Sequence, residues 1–224
     1  MVAPHAVYVK NRNWVDYSPS VAVSWAMKYI CKVKKDCSDR LHSTSWLTAT
    51  SYSIKVIYQN LCDQIPKVNW HYFVWNRYTL PKNRVTIWLA LHDRLKTKER
   101  LHRYGVTMDE TCALCGHDTE TSAHLFFKCH FSKECCSMVL AWLGFISSRN
   151  NLFTLLKWIH RYCKNSFTMK VVYAAVASTV YQIRKARNLA IWEQFVPSIA
   201  CTVKTIQVTV KHRVMSIIVR NKGY

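Results

Sequence analysis

Glycine is scarce in this chain, with only four in 224 residues, about a quarter of ordinary usage. Tight turns and glycine-rich hairpins are therefore few, which favours helices joined by short loops. The patterns G-x-x-x-x-G-K-[ST] and G-x-G-x-x-G are both missing, which excludes the common phosphate-cradling loops. Carboxylates are few as well: 12 Asp and Glu stand against 32 Lys and Arg, for a formal charge of +20. No apolar run approaches the roughly 18 residues needed to cross a bilayer. The longest, Val171 to Val180, is interrupted by Tyr173, Ser178 and Thr179. The opening, MVAPHAVYVKNRNW, lacks the basic, apolar and small-residue zones of a secretory signal. The expectation is a soluble, non-secreted, intracellular chain of the nucleus or cytoplasm, with no membrane partner.

What is present is apolar mass. Half the residues are hydrophobic, enough for one large domain or two small ones, and far more than a disordered basic tail would carry. Ten cysteines occur. Without a signal peptide they read as free thiols, with metal binding the expected use of any cluster. The charge is uneven: Asp93, Glu99, Asp109, Glu110, Asp118, Glu120 and Glu134 hold seven of the twelve acids, and beyond Glu134 only Glu193 remains. A solvated face normally mixes both signs. The C-terminal third does not, which points to a polyanionic partner; the alternative is that the excess of cations only keeps the chain soluble.

The apolar spacing predicts a mostly helical fold. Ser18-Pro19-Ser20 reads as a helix start before Ala22, Trp25, Ala26, Tyr29, Ile30 and Val33, with a polar loop over 32–40. Ser53 caps a second candidate carrying Ile54, Ile57, Tyr58 and Leu61, ended by Pro66. Pro81 precedes a stripe of Val85, Trp88, Leu89, His92 and Leu95. Thr97 caps a short turn that Gly105 closes, and Ser132 and Gly144 bracket Met138, Val139 and Trp142. A long stretch from Phe167 to Trp192 runs through Val172, Val176, Val180 and Ile183. After Pro197, Ile199, Val203, Ile206, Val210, Val214 and Ile217 form one stripe. Its β-branched residues leave a strand open there, and the spacing favours helix.

One segment carries chemistry: TCALCGHDTETSAHLFFKC, in which Cys112, Cys115, His124 and Cys129 are spaced C-x2-C-x8-H-x4-C. Zinc takes four N or S ligands near tetrahedral geometry. A C-x2-C knuckle brings two sulfurs to one ion, and His124 with Cys129 would complete the shell. Such a loop cannot bury a core alone, so the metal supplies its folding energy. Four protein ligands leave no open position, so one structural Zn²⁺ is expected. His117, His130, Cys135 and Cys136 lie near enough in sequence to compete as ligands; the strain of a shared knuckle argues against His117, and an apolar helix face claims Cys136.

From Tyr52 to Gly144 the chain resembles the reverse transcriptase zinc-binding domain found downstream of the polymerase in plant LINE-type (non-LTR) retrotransposons. The ordered marks are Ser53-Ile54-Lys55 with Tyr58, Trp70, Trp75, Pro81-Lys82, Trp88-Leu89-Ala90 and Leu95-Lys96-Thr97 with Arg100-Leu101. The Cys/Cys/His/Cys set, Glu120-Thr121-Ser122 before His124-Leu125-Phe126-Phe127, and Trp142-Leu143 complete them. Arg187-Asn188 before Ile191-Trp192 resembles an arginine–asparagine feature that often follows the module. Ala113, His130 and Cys136 depart from the pattern without removing a ligand. The resemblance implies three parts: a lead-in with a helix over 1–50, the zinc-binding domain over 51–144, and a basic helical segment over 145–224.

The catalytic parts of such an element are not legible. A polymerase needs paired aspartates holding two metal ions, and no Asp-Asp or Y-x-D-D occurs. A ribonuclease H needs several separated carboxylates, yet only Glu193 follows Glu134. Asp16, Asp36, Asp39 and Asp63 do not group as an endonuclease site would. The chain thus reads as a non-enzyme resembling a fragment of a retrotransposon open reading frame. Two functions stand. One is a zinc-held module that binds RNA or DNA through Lys96, Lys98, Arg100 and Arg103, together with Arg184, Lys185 and Arg187. The other is a non-binding remnant or interaction scaffold that packed against a polymerase domain, now at most a partner in trans. Trp70, Trp75 and Trp88 are either stacking platforms for bases or anchors between helices.

Overall fold

The computed structural model describes residues 17–36, 68 and 70–222. The chain divides into two compact units, Met1–Lys67 and Val68–Tyr224. In the first, α1 (Trp25–Asp36) is the described helix. The second holds α2 (His71–Val74), α3 (Pro81–Leu91) and α4 (Lys98–Arg103), then a π-helical turn (His124–Lys128). It continues with α5 (His130–Trp142), α6 (Leu152–Tyr162), α7 (Ser166–Trp192) and α8 (Ile199–Lys222). The fold is mostly helical, as the spacing predicts, and the Cys-Cys-His-Cys loop lies between helices. Among the described residues the extended pairing is a single isolated bridge, Thr111 to Thr119, and no helix is long and apolar enough to cross a membrane. The candidate helix after Ser53 lies outside the described residues.

Helix α7 is the centre of the second unit. Every residue from Val172 to Val180 is buried, so this middle stretch is enclosed all round and does not present a single apolar stripe. Its run Ala174-Ala175-Val176-Ala177-Ser178 keeps the cylinder thin, and α3, α5, α6 and α8 pack on it. Asn165 caps its start, accepting from the amides of Phe167 at 2.9 Å and Thr168 at 3.0 Å. On α8 the expected stripe faces inward: Val203, Ile206, Val210 and Ile217 are buried, with Ile199 and Val214 partly so. Helix α6, capped by Asn151, went unread in the sequence. It buries Leu152, Leu155, Leu156 and Ile159 in the same core as Phe73, Ile87 and Tyr173.

Three expected boundaries or faces differ. Helix α1 starts after Ser24, whose Oγ accepts from the Met27 amide at 3.4 Å. It buries Met27 and Cys31 beside Tyr17 and leaves Trp25, Tyr29, Ile30 and Val33 exposed. It also runs through 32–36, where a loop was expected. Helix α3 also buries Asn83, Thr86 and Ile87 where it docks on α7; of the expected stripe, Leu95 is buried and Trp88 and Leu89 pack on the core, while Val85 and His92 are exposed. Ser132 is no cap: α5 begins at His130 after Cys129, and Ser132 is buried, donating Oγ to the Leu125 carbonyl at 2.5 Å. Gly105 and Gly144 end their helices as expected, at φ +68° and +79°, a conformation costly for residues with a Cβ.

Candidate metal centre

The knuckle is built from short-range bonds. The Thr111–Thr119 bridge closes the loop, and the Cys112 amide donates to Asp118 O at 2.8 Å. The Gly116 amide returns to Cys112 O at 2.8 Å, and Gly116 turns the chain at φ +71°. Thr121 starts the next turn, its Oγ1 accepting from the His124 amide at 3.0 Å.

The π-turn explains the four-residue gap between His124 and Cys129. In an α-helix, positions five apart lie about 140° apart around the axis. Here the Cys129 amide donates to His124 O at 2.8 Å, the i+5 to i bond of a π-turn, which brings both ends to one side. The four ligand atoms of Cys112, Cys115, His124 and Cys129 all lie within 4.8 Å of one another. Ligands on one tetrahedral zinc with Zn–S of about 2.3 Å stand about 3.8 Å apart, so the cluster fits a zinc site. Cys115 Sγ lies 3.3 Å from His124 Nε2. On the other side of the ring, Asp118 Oδ2 is 3.5 Å from Nδ1. Nε2 therefore faces the cluster, with a carboxylate behind the ring.

The sulfurs of Cys112 and Cys129 are hydrogen-bonded to each other. A hydrogen bond with Cys129 raises the Cys112 thiol, and burial adds to this. Cys129 is lowered, first by the same bond, with help from the Ser132 and Phe131 amides at the start of α5. The competing residues stand apart: His117 turns Nδ1 to the Cys115 carbonyl, and His130 is exposed. Cys135 and Cys136 lie outside the four-residue cluster, and burial pushes their thiols up to about 12.

The polar residue that organises this region is Glu120, which has no exposed surface. Its Oε1 accepts from the Lys98 amide at 2.8 Å and its Oε2 from the Ala113 amide at 3.3 Å. Arg187 of α7 reaches Oε1 with Nε at 3.0 Å and Nη2 at 2.8 Å. One carboxylate thus ties the start of α4, the knuckle and the central helix together. Arg187, expected as a phosphate contact, is buried and holds Glu120.

The other expected contacts are placed as follows. Lys98 donates Nζ to Asp109 at 2.6 Å, and Arg103 pairs with Glu99. Arg100 donates to the Asp93 carbonyl and, among the described residues, belongs to no ion pair. Lys96 and Lys185 are exposed and Arg184 is half-buried. Through Glu120 the α4 run comes beside the C-terminal half of α7. Trp70 and Trp88 each meet the His92 ring edge-on, with centroids 5.2 Å away, and both pack on the core. Trp75 is 52% exposed.

Fold and cluster together define a helical protein with a Cys-Cys-His-Cys cluster that fits a zinc site. Residues 52–135 match the family model described as zinc-binding in reverse transcriptase, a domain that is accessory and not catalytic. All four cluster residues fall inside that match. No curated protein and no solved structure matches the chain.

Proposed function

We propose that this chain is a zinc-stabilised nucleic-acid-binding module, derived from a LINE-type retrotransposon reverse transcriptase protein and without catalysis of its own. The observation that carries the reading is the cluster of Cys112, Cys115, His124 and Cys129 inside the segment that matches the zinc-binding family. One structural Zn²⁺ would be held by three thiolates and His124 Nε2. The ion supplies folding energy to the loop, and Glu120 passes that order to α4 and α7. The formal charge of +20 supports a polyanionic partner, RNA or DNA.

Two measurements test this. Elemental analysis should find one zinc per chain, and Cys115→Ser should lose it. Binding to single-stranded RNA should weaken steeply with salt, by about 0.7 in log affinity per log salt for each phosphate contact. Binding that ignores salt would favour the second reading, a scaffold for a protein partner, to which the exposed Trp192, Phe195 and Val196 between α7 and α8 lend support.

A further inference from the structure

Arg84 and Arg213 bring two positive charges from different helices to the turn between α2 and α3. Asn76 fixes this turn: its Oδ1 accepts from the Tyr78 and Thr79 amides, each at 3.1 Å, and its Nδ2 donates to Thr79 Oγ1 at 2.9 Å. Two carbonyls of the turn hold arginines from different helices. Arg84 of α3 donates Nε to Thr79 O at 2.9 Å. Arg213 of α8 donates Nη2 to Arg77 O at 2.8 Å. Both side chains are half-buried. Burial lowers the Arg84 pKa, and the nearby charge of Arg213 lowers it further. Arg213 Nε is buried without a hydrogen-bond partner.

No carboxylate relieves this pair. Among the described residues, neither arginine belongs to an ion pair. Helices α2, α3, α7 and α8 and the turn over 75–80 contain no Asp or Glu. Two partly desolvated like charges held together are costly unless an anion joins them. Each guanidinium has five N–H donors, in a fork that matches phosphate oxygens. The exposed Trp75 immediately precedes the turn and offers a face for an unpaired base.

We propose that Arg84 and Arg213 form a phosphate-binding pair that takes the phosphodiester backbone of single-stranded nucleic acid, with Trp75 stacking a base beside it. The proposal rests on the nucleic-acid reading above and moves its main contact away from α4, where Lys98 and Arg103 already hold carboxylates. Free phosphate shares the chemistry, so the test has two arms.

In the first arm, a labelled oligouridylate of about 20 nucleotides is titrated by fluorescence anisotropy at several salt concentrations. Arg84→Gln/Arg213→Gln should flatten the salt slope by about 1.4, two contacts' worth. Arg84→Lys/Arg213→Lys should restore it. Trp75→Ala should weaken binding about 5- to 150-fold with the slope intact. In the second arm, inorganic phosphate should raise the Tm of the unaltered protein and not that of Arg84→Gln/Arg213→Gln. Zinc content and circular dichroism establish that each variant is folded; if the double variant is not, Arg213→Gln, expected to lose about 0.7 of slope, decides in its place. An unchanged slope, or an equal phosphate response in both proteins, overturns the pair. A phosphate response that depends on the pair, with no salt-sensitive RNA binding by the unaltered protein, overturns the nucleic-acid reading and the strand as occupant.

Discussion

Arg187 places its guanidinium where only 8% of the residue meets solvent, against a Glu120 with no exposed surface. Removing one partner from such a pair leaves the other charge buried and alone, a loss of about 3 to 5 kcal/mol. Arg187→Met should therefore cost several kcal/mol in urea denaturation, and Glu120→Gln a comparable amount. The double variant should lose less than the sum, because neither charge is then stranded. A change under about 0.5 kcal/mol for Arg187→Met, the range of ordinary surface substitutions, would show that the pair has no such weight. Asp109 shows the opposite, exposed case. The hydrogen bond from Lys98, then those from Thr111, hold its carboxyl down at about 2. The stabilising contact is thus complete above the ordinary carboxylate range near about 4 and is lost as pH falls through about 2. In an NMR titration, Lys98→Met should move the Asp109 midpoint up toward that range; a midpoint that stays near 2 would assign the shift to Thr111 alone.

Among the elements, the π-turn is the one whose register sets the site. Deleting Lys128, an exposed residue in that turn, should convert it toward an α-turn and swing Cys129 by about 100° around the axis. Zinc content should fall well below one per chain, whereas Lys128→Ala should retain it. Full zinc in the deletion variant would mean that the turn does not set ligand position. The C-x2-C-x8-H-x4-C spacing made the cluster legible, because each of its residues lies close in sequence to the next. The π-turn itself was not legible, since nothing in HLFFK departs from an α-helical pattern. Helix α8 could be read from its stripe because one side of it packs. Helix α7 reads as amphipathic yet is enclosed, and only the number of helices around it decides that. Arg187 had a signal that charge counting hid: it falls four residues after Ile183, on the apolar stripe of Val176, Val180 and Ile183. On α1 the apolar residues outnumber the buried positions, so periodicity alone chose the wrong face.

Across the second unit, the zinc segment and the C-terminal helices share one core. Metal removal should therefore be felt beyond the knuckle. Chelation should lower the Tm and speed amide hydrogen exchange in α4 and in α7 around Arg187, as well as in residues 112–129. Exchange that changes only within 112–129 would show that Glu120 does not transmit the order. Acidification should act in the same direction, since protons compete with the ion for the thiolates and for His124.

Glu120 and its arginine are 67 positions apart in the chain. At synthesis rates of about 5 to 20 residues per second, a ribosome needs roughly 3 to 13 seconds to travel from one to the other. All four cluster residues precede Arg187, so on the proposed function the nascent knuckle can take up metal while its carboxylate still faces water. Loading before docking is the natural order of assembly, and a cell short of zinc during those seconds would release a chain whose central helix arrives at an unformed seat.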